Sequence, residues 1–253
     1  MEKKVIGIVG GVGPYAGLDL HKKILDNTQA LNDQEHLPVL HLSFSERIND
    51  RTQFLLGKVD NPAPAVADII LRMYVAGADV IGIPCNTMHS PQIFNVINER
   101  LIKTGFSGTL LNMIEEVAKY VSANYPDVKT IGVLSTIGTF RSKVYPAILE
   151  AKGFKVVVLD EDVQNMVHNA IYDETYGIKA QSSPVTEKAR GEFLRGVQHL
   201  QKKGAQAVIL GCTEIPLAIT EKEIDGTIMI DPTLILARAL INATYPEKLQ
   251  PIN

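Results

Sequence analysis

The sequence predicts an α/β protein of two pseudo-symmetric domains, each a parallel four-stranded sheet flanked by helices, with its site in the cleft between them. Three observations predict it. Short β-branched runs alternate with segments of helical periodicity, which is how parallel sheets with crossover helices read. The same series of segments recurs half a chain later, in the same order. Residues with chemical potential stand just past the ends of predicted strands, where such sheets bind ligands. A chain of 253 residues can form one large domain or two modest ones. The recurrence selects two, one from residues 1–112 with 232–253 and one from 113–231.

The elements follow in order. Residues 1–10 carry two lysines and an apolar run, superficially like the start of a signal peptide. The run is too short, and glycines follow at once, so Val5–Val9 reads as a buried first strand. A helix follows from Pro14, since proline suits a first helical turn. Pro38–Leu42 is a second strand. Pro62–Ala76 places Val66, Ile69, Ile70 and Met73 at helical spacing, and Gly77 ends it. Asp79–Ile83 is a third strand. Ile93, Ile97 and Leu101 stand four apart and predict an amphipathic helix over 91–103. Thr109–Leu111 is a fourth strand, followed by a helix from Met113 to Asn124.

The series then repeats. The run from Thr130 to Phe140 parallels Val5 to Tyr15, Gly204 to Thr213 parallels Gly77 to Asn86, and Gly226 to Asp231 parallels Gly108 to Asn112. A period near half the chain is too long for a solenoid and fits two similar domains. The helices starting near Met113 and Pro232 are then the crossings between them.

Composition narrows the function classes. With 45% apolar and 21% charged residues, the chain reads as an ordinary globular protein rather than a disordered one. A net charge of −3 and no run of five like charges argue against a nucleic-acid partner. No apolar run reaches the roughly 20 residues of a membrane helix. Two cysteines cannot form a disulfide framework, so a cytoplasmic location with free thiols is expected.

Those two thiols are the most informative residues. Pro84-Cys-Asn-Thr-Met-His89 and Gly211-Cys-Thr-Glu-Ile-Pro216 each follow a strand and read as the opening of a helix. There, unpaired N–H groups and the macrodipole would lower a thiol pKa. The same N–H groups, with the hydroxyls of Thr87 and Thr213 and the amide of Asn86, can hold a carboxylate. Alone, either cysteine reads as a small buried hydrophobe. Neither has a second cysteine nearby to make a metal-type pair, so no metal is expected. Their equivalent placement in repeated halves favours paired function. Two thiols facing one carbon centre can remove a proton from one side and return one to the other, inverting it without redox change.

Here the residues carry a resemblance. The segments Gly10-Gly-Val-Gly-Pro14, Asp50-Arg-Thr52, Pro84-Cys-Asn-Thr-Met-His89, Leu134-Ser-Thr-Ile-Gly-Thr139 and Gly211-Cys-Thr-Glu-Ile215 resemble the cofactor-independent aspartate/glutamate racemase family, in its aspartate branch. The resemblance implies interconversion of L- and D-aspartate, no pyridoxal phosphate or other cofactor, and commonly a homodimer. It makes Cys85 and Cys212 the acid/base pair. Asn86, Thr87, Thr136 and Thr213 would hold the α-carboxylate and amino groups, and Arg51 the side-chain carboxylate. A lysine is expected after Ile171-Tyr172, and Lys179 is the nearest fit. Without the resemblance, Arg51 and Lys179 read as solvated surface cations.

The remaining features are less directed. The glycine segment lacks the third glycine of a dinucleotide fingerprint and reads as a tight turn. Glu214 reads as a charge at a helix start or as a proton relay. His89 reads as a packing residue or a modulator of Cys85, and His168 has no assigned role. Rival functions are a glutamate or hydantoin racemase, a cis–trans isomerase of dicarboxylates, or a non-catalytic binder of small carboxylates. The glutamate branch usually places His-Tyr-Pro-Leu where this chain has Glu214-Ile-Pro-Leu217, and a decarboxylase of this kind would keep one cysteine.

Overall fold

The structure, a computed structural model, describes residues 4–252. Residues 1–3 and 253 lie outside the described residues, so the reading of the N-terminal run is met only from Lys4 onward. The elements in chain order are β1 (Ile6–Gly10), α1 (Pro14–Asp26), β2 (Val39–Ser43), α2 (Arg51–Leu55), α3 (Ala63–Val75), β3 (Val80–Gly82), α4 (Pro91–Lys103), β4 (Thr109–Leu110) and α5 (Met113–Asn124). The second series is β5 (Thr130–Ser135), α6 (Ile137–Ser142), α7 (Val144–Ala151), β6 (Lys155–Val157), α8 (Glu161–Tyr172), α9 (Glu187–Lys202), β7 (Ala207–Gly211), β8 (Glu223–Ile224), β9 (Thr227–Ile230) and α10 (Pro232–Thr244). The chain divides into two compact units, Met1–Glu116 with Thr233–Asn253, and Val117–Pro232.

In the first unit the sheet has the order β2-β1-β3-β4, all parallel. All five residues of β1 are buried, as expected of a strand covered by helices on both faces. Gly7 lets β3 approach, because a Cβ there would stand 2.8 Å from Ile81 Cγ1. The stripes Val66, Ile69, Ile70, Met73 and Ile93, Ile97, Leu101 are buried in one apolar cluster where α3 packs on α4. The carboxyl-terminal helix α10 returns to this unit. A Cβ on Gly82 would meet Leu240 and Leu236 at 3.0 and 3.3 Å, so those leucines lie directly over β3.

In the second unit the sheet runs β6-β5-β7-β9-β8. Its first four strands are parallel and repeat the order of the first sheet. The expected four strands are joined by a fifth, because β8 pairs antiparallel with β9. Asp225 and Gly226 both hold positive φ, 47° and 77°, which is what a two-residue hairpin turn requires. That Asp-Gly pair was the available sequence signal for the extra strand. Among the described residues no helix is long and apolar enough to cross a membrane.

Candidate active site

In both sheets the first and third strands lie side by side, with the later crossovers leaving in opposite directions. That is a topological switch point, where loops part at the carboxyl edge and leave a crevice. In the first unit, β1 runs into Gly11–Gly13 and β3 into Cys85. In the second, β5 runs into Thr136 and β7 into Cys212. Ser135 and Gly211 are register partners, so Thr136 and Cys212 are the next residues on adjacent strand ends.

The first unit assembles Cys85, Asn86, Thr87 and Arg51. All four are buried. His89 lies on the same turn, and its Nδ1–H donates to the Cys85 carbonyl at 2.8 Å, pinning the cysteine's backbone. Burial drives the His89 pKa down to about 4, so the ring is neutral at physiological pH. Its face lies against Phe94 at 4.9 Å. Arg51 is not a solvated loop residue. It is only 8% exposed, and Nη2 donates to the Val12 carbonyl at 3.0 Å. Asp50 caps its short helix by accepting from the Gln53 amide at 2.8 Å, and α2 packs on the Thr87–His89 turn. The glycine segment holds a tight turn, with φ of 80° at Gly11 and 131° at Gly13. A Cβ on Gly11 would stand 2.7 Å from the Ser45 amide nitrogen.

The second unit gathers Cys212, Thr213, Glu214 and Lys179. Cys212 Sγ donates to Glu214 Oε2 at 3.0 Å, and the Thr213 hydroxyl donates to the same oxygen at 3.4 Å. The Lys179 ammonium pairs with Glu214 Oε1 and lies 5.7 Å from the Tyr172 ring centre. Tyr172 stacks on His168 at 4.8 Å. Gln164, one turn earlier on α8, donates to the Ser135 carbonyl at 2.7 Å. Thr136 is the N-cap of α6, and its hydroxyl accepts from the Thr139 amide at 3.1 Å. Sequence reasoning passed over Gln164 and left His168 unassigned. Their spacing with Tyr172 at every fourth residue marks one face of α8, and that face was the readable signal.

Helix N-termini at the two cysteines, the expected source of lowered thiol pKa values, are not what the fold provides. Cys85 precedes a single 3-10 turn, Thr87–His89, and Cys212 precedes another, Ile215–Leu217. Ser90 must be extended because Pro91 follows it, so α4 cannot begin at the cysteine. A single turn carries little of a helix macrodipole. Burial, and then the neighbouring Glu214 carboxylate, push the Cys212 thiol well above its usual range, against the opposing pull of Lys179. Among the described residues no three of His, Cys, Asp and Glu are placed to hold a metal ion.

The family model for Asp/Glu/hydantoin racemase matches residues 9–240. The aspartate racemase of Picrophilus torridus superposes with a TM-score of 0.80 at 27% identity, covering 95% of this chain and 94% of that one. A broad specificity amino-acid racemase of Bacillus subtilis is 27% identical over 165 residues, 62% of this chain. The match spans 65% of that relative's length. Glutamate racemase of Francisella tularensis shares the fold, with a TM-score of 0.69 at 18% identity, over 100% of this chain and 85% of that one.

Proposed function

The chain belongs to the Asp/Glu/hydantoin racemase family, and on that premise we propose that it interconverts the enantiomers of aspartate by two-thiol proton transfer. The observation that carries this reading is the matched placement of its only two thiols, each past the third strand of a repeated sheet. One thiolate removes the α-proton, and the opposite thiol delivers a proton to the other face of the planar carbanion. In the reverse direction the roles exchange. The mechanism requires both strand-end loops to meet one substrate.

The other residues take supporting roles. Asn86, Thr87, Thr136 and Thr213 supply donors for the α-carboxylate, whose negative charge grows as the proton leaves. Arg51 and Lys179 are the cations for the side-chain carboxylate, which favours aspartate over an uncharged amino acid. Arg51 is pre-positioned by its bond to Val12, so it loses little entropy on binding. The reaction is read as cofactor-free and cytoplasmic, in a homodimer, and light scattering on the purified protein checks the assembly.

The test is loss of optical activity with a panel of acidic and neutral amino acids in deuterium oxide, without added cofactor. Aspartate is expected to racemise fastest and to gain deuterium at Cα. Cys85→Ala and Cys212→Ala are each expected to cost at least about 100-fold. Racemisation retained in both single variants overturns the two-thiol reading. Equal rates across the panel would place this chain's substrate range with the broad-specificity relative instead.

A further inference from the structure

Lys179 is given two partners by the reading above, the substrate's side-chain carboxylate and Glu214. In the structure the ammonium pairs with Glu214 Oε1 while Oε2 accepts from Cys212 Sγ at 3.0 Å. The carboxylate therefore joins a cation to a thiol. The lysine side chain is 23% exposed and that of Glu214 only 4%, so a solute can reach the ammonium more readily than the carboxylate.

We propose that Lys179 is handed from Glu214 to the distal carboxylate of the bound substrate, and that Glu214 then takes the proton of Cys212. Accepting the lysine as the cation for that carboxylate rests on the proposed function. The proton balance is simple. The Sγ–H bond breaks, an Oε2–H bond forms, and a thiolate and a neutral carboxylic acid replace a thiol and a carboxylate. Total charge is unchanged, and the new O–H remains aimed at the sulfur, so the thiolate keeps a hydrogen-bond donor. Glu214 has no route to that state while the ammonium holds it, because a paired cation stabilises the ionised carboxylate.

The physical consequence is that Cys212 becomes a base only when a second carboxylate is present. A substrate without one leaves the pair intact and the sulfur protonated. Selectivity for acidic amino acids then acts on the chemical step as well as on binding. Glu214 and Lys179 face the sulfur, and Glu214 and the Tyr172 ring, itself stacked on His168, face the ammonium.

The experiment uses the Cys85→Ser protein, in which Cys212 is the one remaining thiol. Its ultraviolet thiolate absorbance is read at neutral pH with succinate or with propionate, each at saturation by calorimetry. Succinate is expected to raise the thiolate signal and propionate to leave it unchanged. Glu214→Gln, which keeps the shape but cannot take the proton, is expected to remove the difference. Equal signals with the two acids, or a difference that survives Glu214→Gln, overturns the proposal. This readout involves no turnover, so it is separate from failure of the racemase reading, which shows as no deuterium uptake by aspartate with the unaltered enzyme.

Discussion

At the residue scale, burial sets the chemistry more than position along a helix does. His89 shows this directly. An ordinary histidine has a pKa near 6.5, whereas burial brings this one to about 4. Between those values the unfolded chain binds a proton that the folded chain refuses. Stability from this group is therefore full above pH 6.5 and falls as the pH is lowered toward 4. The loss is on the order of 3 kcal/mol. Urea unfolding at neutral pH and near the acidic end is expected to show it, and His89→Gln, which cannot titrate, should flatten the slope. Arg51 makes a second prediction. Arg51→Lys keeps the charge but not the planar fork that reaches Val12. It is expected to raise the KM for aspartate about tenfold with little change for neutral amino acids. Equal losses on both would remove its role at the side-chain carboxylate.

At the element scale, two short devices hold the strand-end loops. Asp50 caps α2 and so fixes the start of the segment carrying Arg51. Asp50→Ala is expected to cost about 1 kcal/mol in thermal or urea unfolding, and to weaken aspartate binding with it. The turn after β1 is the other device. At Gly11 the backbone is left-handed and the space for a Cβ is filled by the chain near Ser45. Gly11→Ala is expected to destabilise by roughly 2 kcal/mol, more than an exposed glycine such as Gly57 would on the same change.

Element types were largely readable in the sequence because burial on one or two faces leaves a period. The strands Val39–Ser43 and Ala207–Gly211 and the helix Pro91–Lys103 stand where β-branched runs and four-residue spacing place them. The helices expected to begin at the two cysteines are absent because the chain is locally overruled. Pro91 forces Ser90 out of the helical region, and a three-residue turn fills the gap. The hairpin that adds β8 is short, and two residues carry no period.

At the scale of the whole molecule, each sheet has its own core, and the first is completed from the far end of the sequence. Leu236, Leu240 and Ile241 on α10 are fully buried in the unit that begins with β1. Leu240→Ala is expected to cost about 3 kcal/mol, because the cavity opens over β3 where Gly82 offers no side chain to fill it. Urea denaturation checks this, and a cost below about 1 kcal/mol would mean the helix shifts to close the gap.

By itself the sequence determined the alternation of strand and helix, the recurrence of one series of segments in two halves, and the placement of the two thiols past equivalent strands. Those properties are carried by local periodicity and by position in a repeated series. Tertiary structure alone decided that Arg51 is buried against Val12, that His89 is a neutral anchor of the Cys85 loop, and that Lys179, Glu214 and Cys212 form one chain of contacts. The physical reason is separation along the chain. Lys179 and Glu214 are brought together by a sheet crossover, and charge state depends on burial and neighbours that no spacing encodes.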